Sequence, residues 1–159
     1  MSTPASPGPR LLAAWQRLSV LPGGGTLFSF GLGLMVPYTG SIRPRVLELQ
    51  PGRAVVRLRD RRRIRNHLGS IHALAIANLG ELAGGLALLT ALPPGRKGIV
   101  TRLQTEYLKK ARGTLQARGE VDSPSFPWGA DEIETTVVAT VWDEEGDEVA
   151  RVVAHWRLR

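Results

Sequence analysis

One charged residue interrupts the most apolar stretch of this chain. From Ala73 to Ala91 the sequence uses only Ala, Leu, Ile, Gly, Asn and Thr, apart from Glu81. A carboxylate among hydrocarbon is rarely found without a cation to pair with or a task to perform. The tasks open to it are proton abstraction and attack on an electrophilic carbon. Just ahead of the stretch runs Arg65-Asn66-His67-Leu68-Gly69-Ser70-Ile71-His72. It brings an amide, a turn-forming glycine and an imidazole to the foot of the same segment.

These side chains need elements to hold them. The stretch Ala73 to Ala91 reads as a helix that is apolar nearly all round, so other structure must wrap it. Ser70 is a candidate N-cap, and Pro93-Pro94-Gly95 stops the helix. Upstream, residues 1–9 are expected to be disordered. Leu11 to Leu21 reads as a helix broken by Pro22-Gly23-Gly24-Gly25, and Phe28 to Met35 as a second short helix before Pro37. Ser41 to Leu49 and Ala54 to Arg59 look like strands joined by the turn Gln50-Pro51-Gly52-Arg53.

Four strands are expected after the helix. In Gly98 to Lys110, Ile99, Thr101, Leu103, Thr105 and Tyr107 alternate with Arg102, Gln104 and Glu106. Thr114 to Val121 comes next, then a loop at 123–129. Ile133 to Trp142 and Glu148 to Leu158 make a hairpin across Asp143 to Asp147. The order predicts an α+β fold, one long central helix wrapped by a six-stranded antiparallel sheet, with an N-terminal helical extension. Gly80, Gly84 and Gly85 each cost the helix roughly 0.5–1 kcal/mol against Ala. Their presence predicts close backbone approach to strands or to a second helix.

At 159 residues the chain is long enough for one domain with a real core. It has no cysteine, which excludes disulfides, thiolate nucleophiles and Cys-based zinc sites. His67, His72 and His155 are too scattered for an obvious metal cluster, so no metal is expected. The net charge is +7, much of it in Arg57 to Arg65, with a smaller group at Lys109, Lys110 and Arg112. A solvated basic surface explains it most simply, attraction to a phosphorylated ligand comes next, and nucleic acid is a distant third. Aromatic residues do not interleave with the basic ones, so a stacking platform for single strands is missing. Leu27 to Val36 is apolar but about half the ~20 residues a membrane span requires. No secretory cleavage pattern follows the first residues. The expectation is a cytoplasmic protein without a membrane span, its N-terminal region packed as a cover on the core.

Asn66, Gly69 and His72 fit the pattern Asn-x-x-Gly-x-x-His-Gly-Gly, and Glu81 lies nine residues beyond the histidine. In these residues the chain resembles the hotdog-fold acyl-CoA thioesterases of the PaaI-like kind, from the phenylacetate pathway, whose catalytic carboxylate stands at that position. Tyr107-Leu108-Lys109-Lys110-Ala111 is similar to the aromatic-Leu-basic-Pro-Ala segment that ends the family's next strand. The resemblance covers roughly residues 40–158. It divides the chain into an extension at 1–37, which looks like that of an uncharacterised hotdog branch, and a hotdog domain at 38–159. One departure stands out: His-Gly-Gly is His72-Ala73-Leu74 here. The glycines allow close approach of backbone to thioester, whereas Ala73 and Leu74 keep only the N–H groups.

The resemblance implies hydrolysis of an acyl-CoA thioester, with coenzyme A present as part of the substrate and no separate cofactor. Glu81 would be the general base or nucleophile, and Asn66 would orient water or the carbonyl. The Ala73 N–H, with or without its neighbour, would stabilise the oxyanion at the helix N-terminus. His72 would shape the loop and donate a hydrogen bond. Gly69, Thr101, Lys109, Lys110 and Arg112 would contact substrate, the basic ones or Arg96 taking the phosphates. Nine residues at 1.5 Å each separate His72 from Glu81 by about 13 Å along one helix. One thioester cannot touch both, so two helices from two subunits must share the site. A homodimer follows, and a dimer of dimers stays open as an alternative assembly.

Plainer roles compete with these. Glu81 would be structural if it pairs with an arginine of a neighbouring strand, and Asn66 and Gly69 if they only tighten a turn. His72 would be an ordinary structural histidine, Asn78 a helix–helix bond at a dimer interface, and Lys109 and Lys110 a solvated strand end. A non-catalytic acyl-CoA-binding module keeps the fold and fits the missing glycines. A hotdog dehydratase is ranked low, because no histidine follows Glu81 until His155.

Overall fold

The computed structural model describes residues 7–121, 129 and 131–159. The loop expected at 123–129 lies outside the described residues except for Gly129. Three helices come first, α1 (Pro7–Ser19), α2 (Gly24–Met35) and α3 (Pro37–Ser41), then strands β1 (Arg45–Gln50) and β2 (Arg53–Leu58). A single 3-10 turn at Arg62–Ile64 leads to α4 (Ala73–Ala91). Four strands complete the chain: β3 (Gly98–Tyr107), β4 (Leu115–Glu120), β5 (Ile133–Trp142) and β6 (Glu148–Leu158).

The strands form one antiparallel sheet in the order β1-β2-β4-β5-β6-β3. Alternation decides which face looks inward. In β4, Leu115, Ala117 and Gly119 are buried while Gln116, Arg118 and Glu120 are exposed, the period of a strand with one solvated face. The inward residues meet α4, whose Leu79, Ala83, Ala87 and Leu88 are fully enclosed. By length and composition alone α4 could cross a membrane, but most of it is buried inside the fold.

The glycines of α4 do what their cost suggested. A Cβ on Gly80 would collide with the Val152 side chain of β6, and a Cβ on Gly119 of β4 would collide with the Ala83 carbonyl. The helix backbone therefore lies almost directly on the strands. Gly8 plays the same part where α1 crosses the end of α4: a side chain there would meet the Leu89 carbonyl.

The extension joins the same core, with Phe28 and Leu32 of α2 buried against Leu49, Leu82 and Leu86. Ser29 ties it down, donating to the Gly25 carbonyl and accepting from the Val46 N–H of β1. Three sequence expectations differ here. Pro7, Gly8 and Pro9 open α1 rather than belonging to a disordered tail, because proline suits the first turn of a helix, where its missing N–H costs nothing; residues 1–6 lie outside the described residues. The strand expected from Ser41 begins at Arg45 instead. Pro37 starts a short helix there, and Arg43, at φ 49°, turns the chain before Pro44. The third strand ends at Tyr107 and is exposed along most of its length, since it forms the sheet's edge.

Gly119→Ala should destabilise the protein by about 1–3 kcal/mol through overpacking. Gly31→Ala, in open space within α2, should stabilise it by roughly 0.5–1 kcal/mol. Urea unfolding of the two variants beside wild type reads both signs.

Candidate active site

The approach to α4 is a knotted turn. Asn66 Oδ1 accepts from the Leu68 N–H at 3.0 Å, the Ser70 N–H at 3.2 Å and the Ser70 hydroxyl at 3.1 Å. Its backbone N–H donates to the Ser70 carbonyl at 2.8 Å, and the Gly69 N–H returns to the Asn66 carbonyl at 3.1 Å. Gly69 sits at φ 70° with open space around it, so a turn is what requires glycine there. The side-chain oxygen of Asn66 is thus spent on the loop, and only its amide nitrogen remains for a substrate.

This turn sets the start of α4. The N-cap is His72, not Ser70: His72 Nδ1 accepts from the Leu74 N–H at 3.1 Å. The expected donor role for His72 is reversed at this nitrogen. The Ala75 and Ile76 N–H groups both turn back to the His72 carbonyl. Of the two amides considered for the oxyanion, Leu74's is occupied by the imidazole. Ala73's has no partner among the described residues, and Ala73 is exposed. The Tyr107 hydroxyl donates to the Ala73 carbonyl at 2.9 Å, bracing this corner from β3.

Two turns and more up the helix, Glu81 enters a cavity of about 780 Å³ roofed by α1 and α2. Leu11 and Ala14 of α1, Leu27 and Leu32 of α2, Leu86 of α4 and Trp156 of β6 are among its walls. Glu81 forms no hydrogen bond or ion pair among the described residues, which removes the reading in which it pairs with a strand arginine. Burial pushes its carboxyl above the usual glutamate range. Gly85 keeps the space beside it open: a Cβ there would sit 3.5 Å from Glu81 Oε1 and 3.4 Å from Trp156 Cζ2.

Two buried donors near this cavity are unsatisfied, Trp156 Nε1 and Asn78 Nδ2. Asn78, one turn before Glu81, accepts from the hydroxyl of Thr39, a cavity residue, at 3.0 Å. That bond ties α3 to α4 through the Asn78 side-chain oxygen. Sequence reasoning expected the N-terminal region to cover the core but overlooked Trp156 and the part this cover plays in walling Glu81. No motif announces either one, and only the apolar character of Leu27 to Val36 hinted that it needed something to cover.

The expected phosphate contacts fare differently. Lys109 is held by Asp143, Glu145 and Asp147 of the β5–β6 turn, which raises its pKa. With three carboxylates around it, it is not a free phosphate clamp. Lys110 and Arg112 are exposed with no partner among the described residues, and neither borders the Glu81 cavity. Arg96 donates to the Asp131 carbonyl at 3.1 Å. Thr101 lies at a bulge in β3 and donates to the His155 carbonyl at 3.2 Å, away from Glu81's cavity.

The family described as a domain of unknown function, DUF4442, matches residues 24–158. The chain belongs to that family. A curated relative of this DUF4442 chain, a Halobacterium salinarum protein whose name proposes an esterase, is 38% identical over 84 residues. That alignment takes in 52% of this chain and 56% of the relative, so it spans about half the length of each. A structural-genomics protein is 30% identical with a TM-score of 0.78, covering 93% of this chain and 96% of that one. A Pseudomonas aeruginosa protein of unknown function, named as a thioesterase candidate, is 24% identical with a TM-score of 0.73, covering 87% and 96%. The phenylacetic acid degradation protein PaaI of Thermus thermophilus, in a mutant form, is 22% identical with a TM-score of 0.61, covering 76% and 97%. The DUF4442 chain has the hotdog fold of the PaaI-like proteins.

The buried acid has a measurable signature. Its folded form holds a proton more tightly than the unfolded chain. Between the ordinary glutamate value of about 4.3 and the raised folded value, the native state therefore binds more protons, and stability falls as pH rises. Glu81→Gln removes that penalty. The variant should be more stable than wild type at pH 7, and the gap should shrink toward pH 4. A gap of constant size across urea unfolding curves at the two pH values would show that Glu81 is not desolvated.

Proposed function

We propose that the protein hydrolyses acyl-CoA thioesters, with Glu81 as general base or nucleophile. The unpaired carboxylate in an apolar cavity carries this reading. A carboxyl with a raised pKa removes protons from water more readily than an ordinary one does. The hydrocarbon walls around it suit an acyl chain, and the thioester carbon would lie where the chain meets the acid. Water is activated, adds to that carbon, and the thiolate of coenzyme A leaves with a proton.

The Ala73 N–H is the oxyanion donor in this scheme. It is unpaired, exposed and at the positive end of a 19-residue helix. Eight residues at 1.5 Å put it about 12 Å from Glu81 along the same helix, so the donor would come from a second subunit. The open edge of the sheet at β3 supports such a dimer, since Ile99, Leu103 and Tyr107 are exposed there. Asn66 would contribute through its amide nitrogen. Lys110 and Arg112 remain available for phosphate groups, and Thr101 for a contact across the dimer.

A second reading, a non-catalytic acyl-CoA-binding module, is favoured by one observation. Leu74 replaces the second glycine of the family pattern, and its side chain is exposed beside the unpaired amide, where it narrows the approach of a thioester.

An acyl-CoA panel separates the two. Wild type should turn over at least one member, and Glu81→Gln should lower kcat at least ~100-fold without loss of fold. Ala73→Pro removes only the N–H, because proline is tolerated at the first helical position and His72 already has the extended backbone that precedes proline. It should cost ~10²–10³ in kcat. Mixed dimers of the two variants should regain activity that neither shows alone, because one intact composite site re-forms. Saturable binding without turnover across the panel would leave the binding module; mixing without recovery would refute the shared site.

A further inference from the structure

The arginines that give the chain much of its charge form a second pocket, on the other side of α2. Its volume is about 580 Å³, and Arg43, Arg45, Arg57, Arg59 and Arg61 all line it. Two paired strands and their flanking segments put them together. Arg45 of β1 and Arg57 of β2 face away from the core, to which Val46 and Leu58 go; Arg43 sits in the turn before β1, and Arg59 and Arg61 follow β2. The β1–β2 register then sets Arg45 directly opposite Arg57, and like charges in that relation destabilise a sheet.

Nothing within the described residues relieves this crowding. None of the five forms an ion pair, whereas nearby Arg53 and Arg65 are paired with Glu48, Glu120 and Asp60. Arg57 Nε is buried without a hydrogen-bond partner. Arg61 donates to the Ile42 carbonyl, and burial, with Arg43 and Arg63 close by, holds its pKa below the usual arginine value. Arg43 is the one non-glycine at positive φ among the described residues, a strained backbone of the sort that persists where a site over-determines it. A protein that gathers five guanidinium groups with no carboxylate partner among the described residues has a site for a tetrahedral or planar oxyanion.

We propose that this pocket binds the phosphate of a phosphorylated ligand. Phosphate oxygens would accept from the guanidinium groups of Arg57 and of the facing Arg45, cancelling the repulsion across β1 and β2. Phe30 and Leu34 of α2 also line the pocket and are themselves 63% and 67% exposed, so an apolar moiety attached to the phosphate has a surface to rest on. The inference is independent of the hydrolase reading, because Glu81's cavity lies on the opposite side of α2 and shares no lining residue with this one.

The test titrates inorganic pyrophosphate, phosphatidylglycerol vesicles and phosphatidylcholine vesicles onto the full chain at low ionic strength. Variants are Arg45→Gln, Arg57→Gln and, as a charge-matched control, Arg17→Gln on the exposed face of α1. Saturable pyrophosphate binding that raises Tm, weakened at least ~10-fold in Arg45→Gln and Arg57→Gln and unchanged in Arg17→Gln, assigns the site to soluble phosphates. Binding to phosphatidylglycerol but not phosphatidylcholine, without saturable pyrophosphate binding and with the same variant pattern, assigns it to a lipid headgroup. Either pocket variant should also raise Tm in the absence of ligand, by removing one side of the like-charge pair. Absence of binding to every phosphate probe, or equal loss in all three variants, overturns the proposal.

Discussion

The structure depends on the need to enclose a helix that has no polar face. The sheet covers most of α4 and lets it come very close, because Gly80 and Gly119 carry no side chains to hold the layers apart. A six-stranded sheet cannot close completely around a helix, and the uncovered side is where α1 and α2 lie. Their contact is close where Gly8 of α1 meets the Leu89 carbonyl and looser around Glu81. The space left between roof and helix is the Glu81 cavity, so the site is what remains after an incomplete wrapping.

That origin explains the electrostatics. A carboxylate on a side of α4 facing the sheet would be crushed, and one in water would be ordinary. At the partly covered side it is desolvated without being sealed, and it makes no ion pair among the described residues, although Arg10 of α1 borders the same cavity. Five further arginines stand beyond α2, crowded against one another.

Much of this was legible before any coordinates. The limits of α4, β5 and β6 follow from apolar runs bounded by proline, glycine or an acidic turn, and the structure places them at Ala73–Ala91, Ile133–Trp142 and Glu148–Leu158. The burial of Glu81 follows from composition. What stayed hidden involves contacts between distant segments. Ser70 looks like a better cap than His72 by residue type, yet Ser70 is drawn into the Asn66 turn and the imidazole two residues later takes its place. Lys109 reads as a free cation until the β5–β6 turn folds three carboxylates around it. The opening turn of the first helix was missed where two prolines suggested disorder, because the same residue that breaks a helix interior is welcome at its start.

The chamber beside Glu81 owes its ceiling to one segment of chain and its acid to another. Substitutions at Leu11, Ala14 or Leu27 alter the height and length of the space without touching α4 or the turn that leads into it. The volume of that space can therefore change through α1 and α2 alone, with Glu81 and the turn before α4 left as they are.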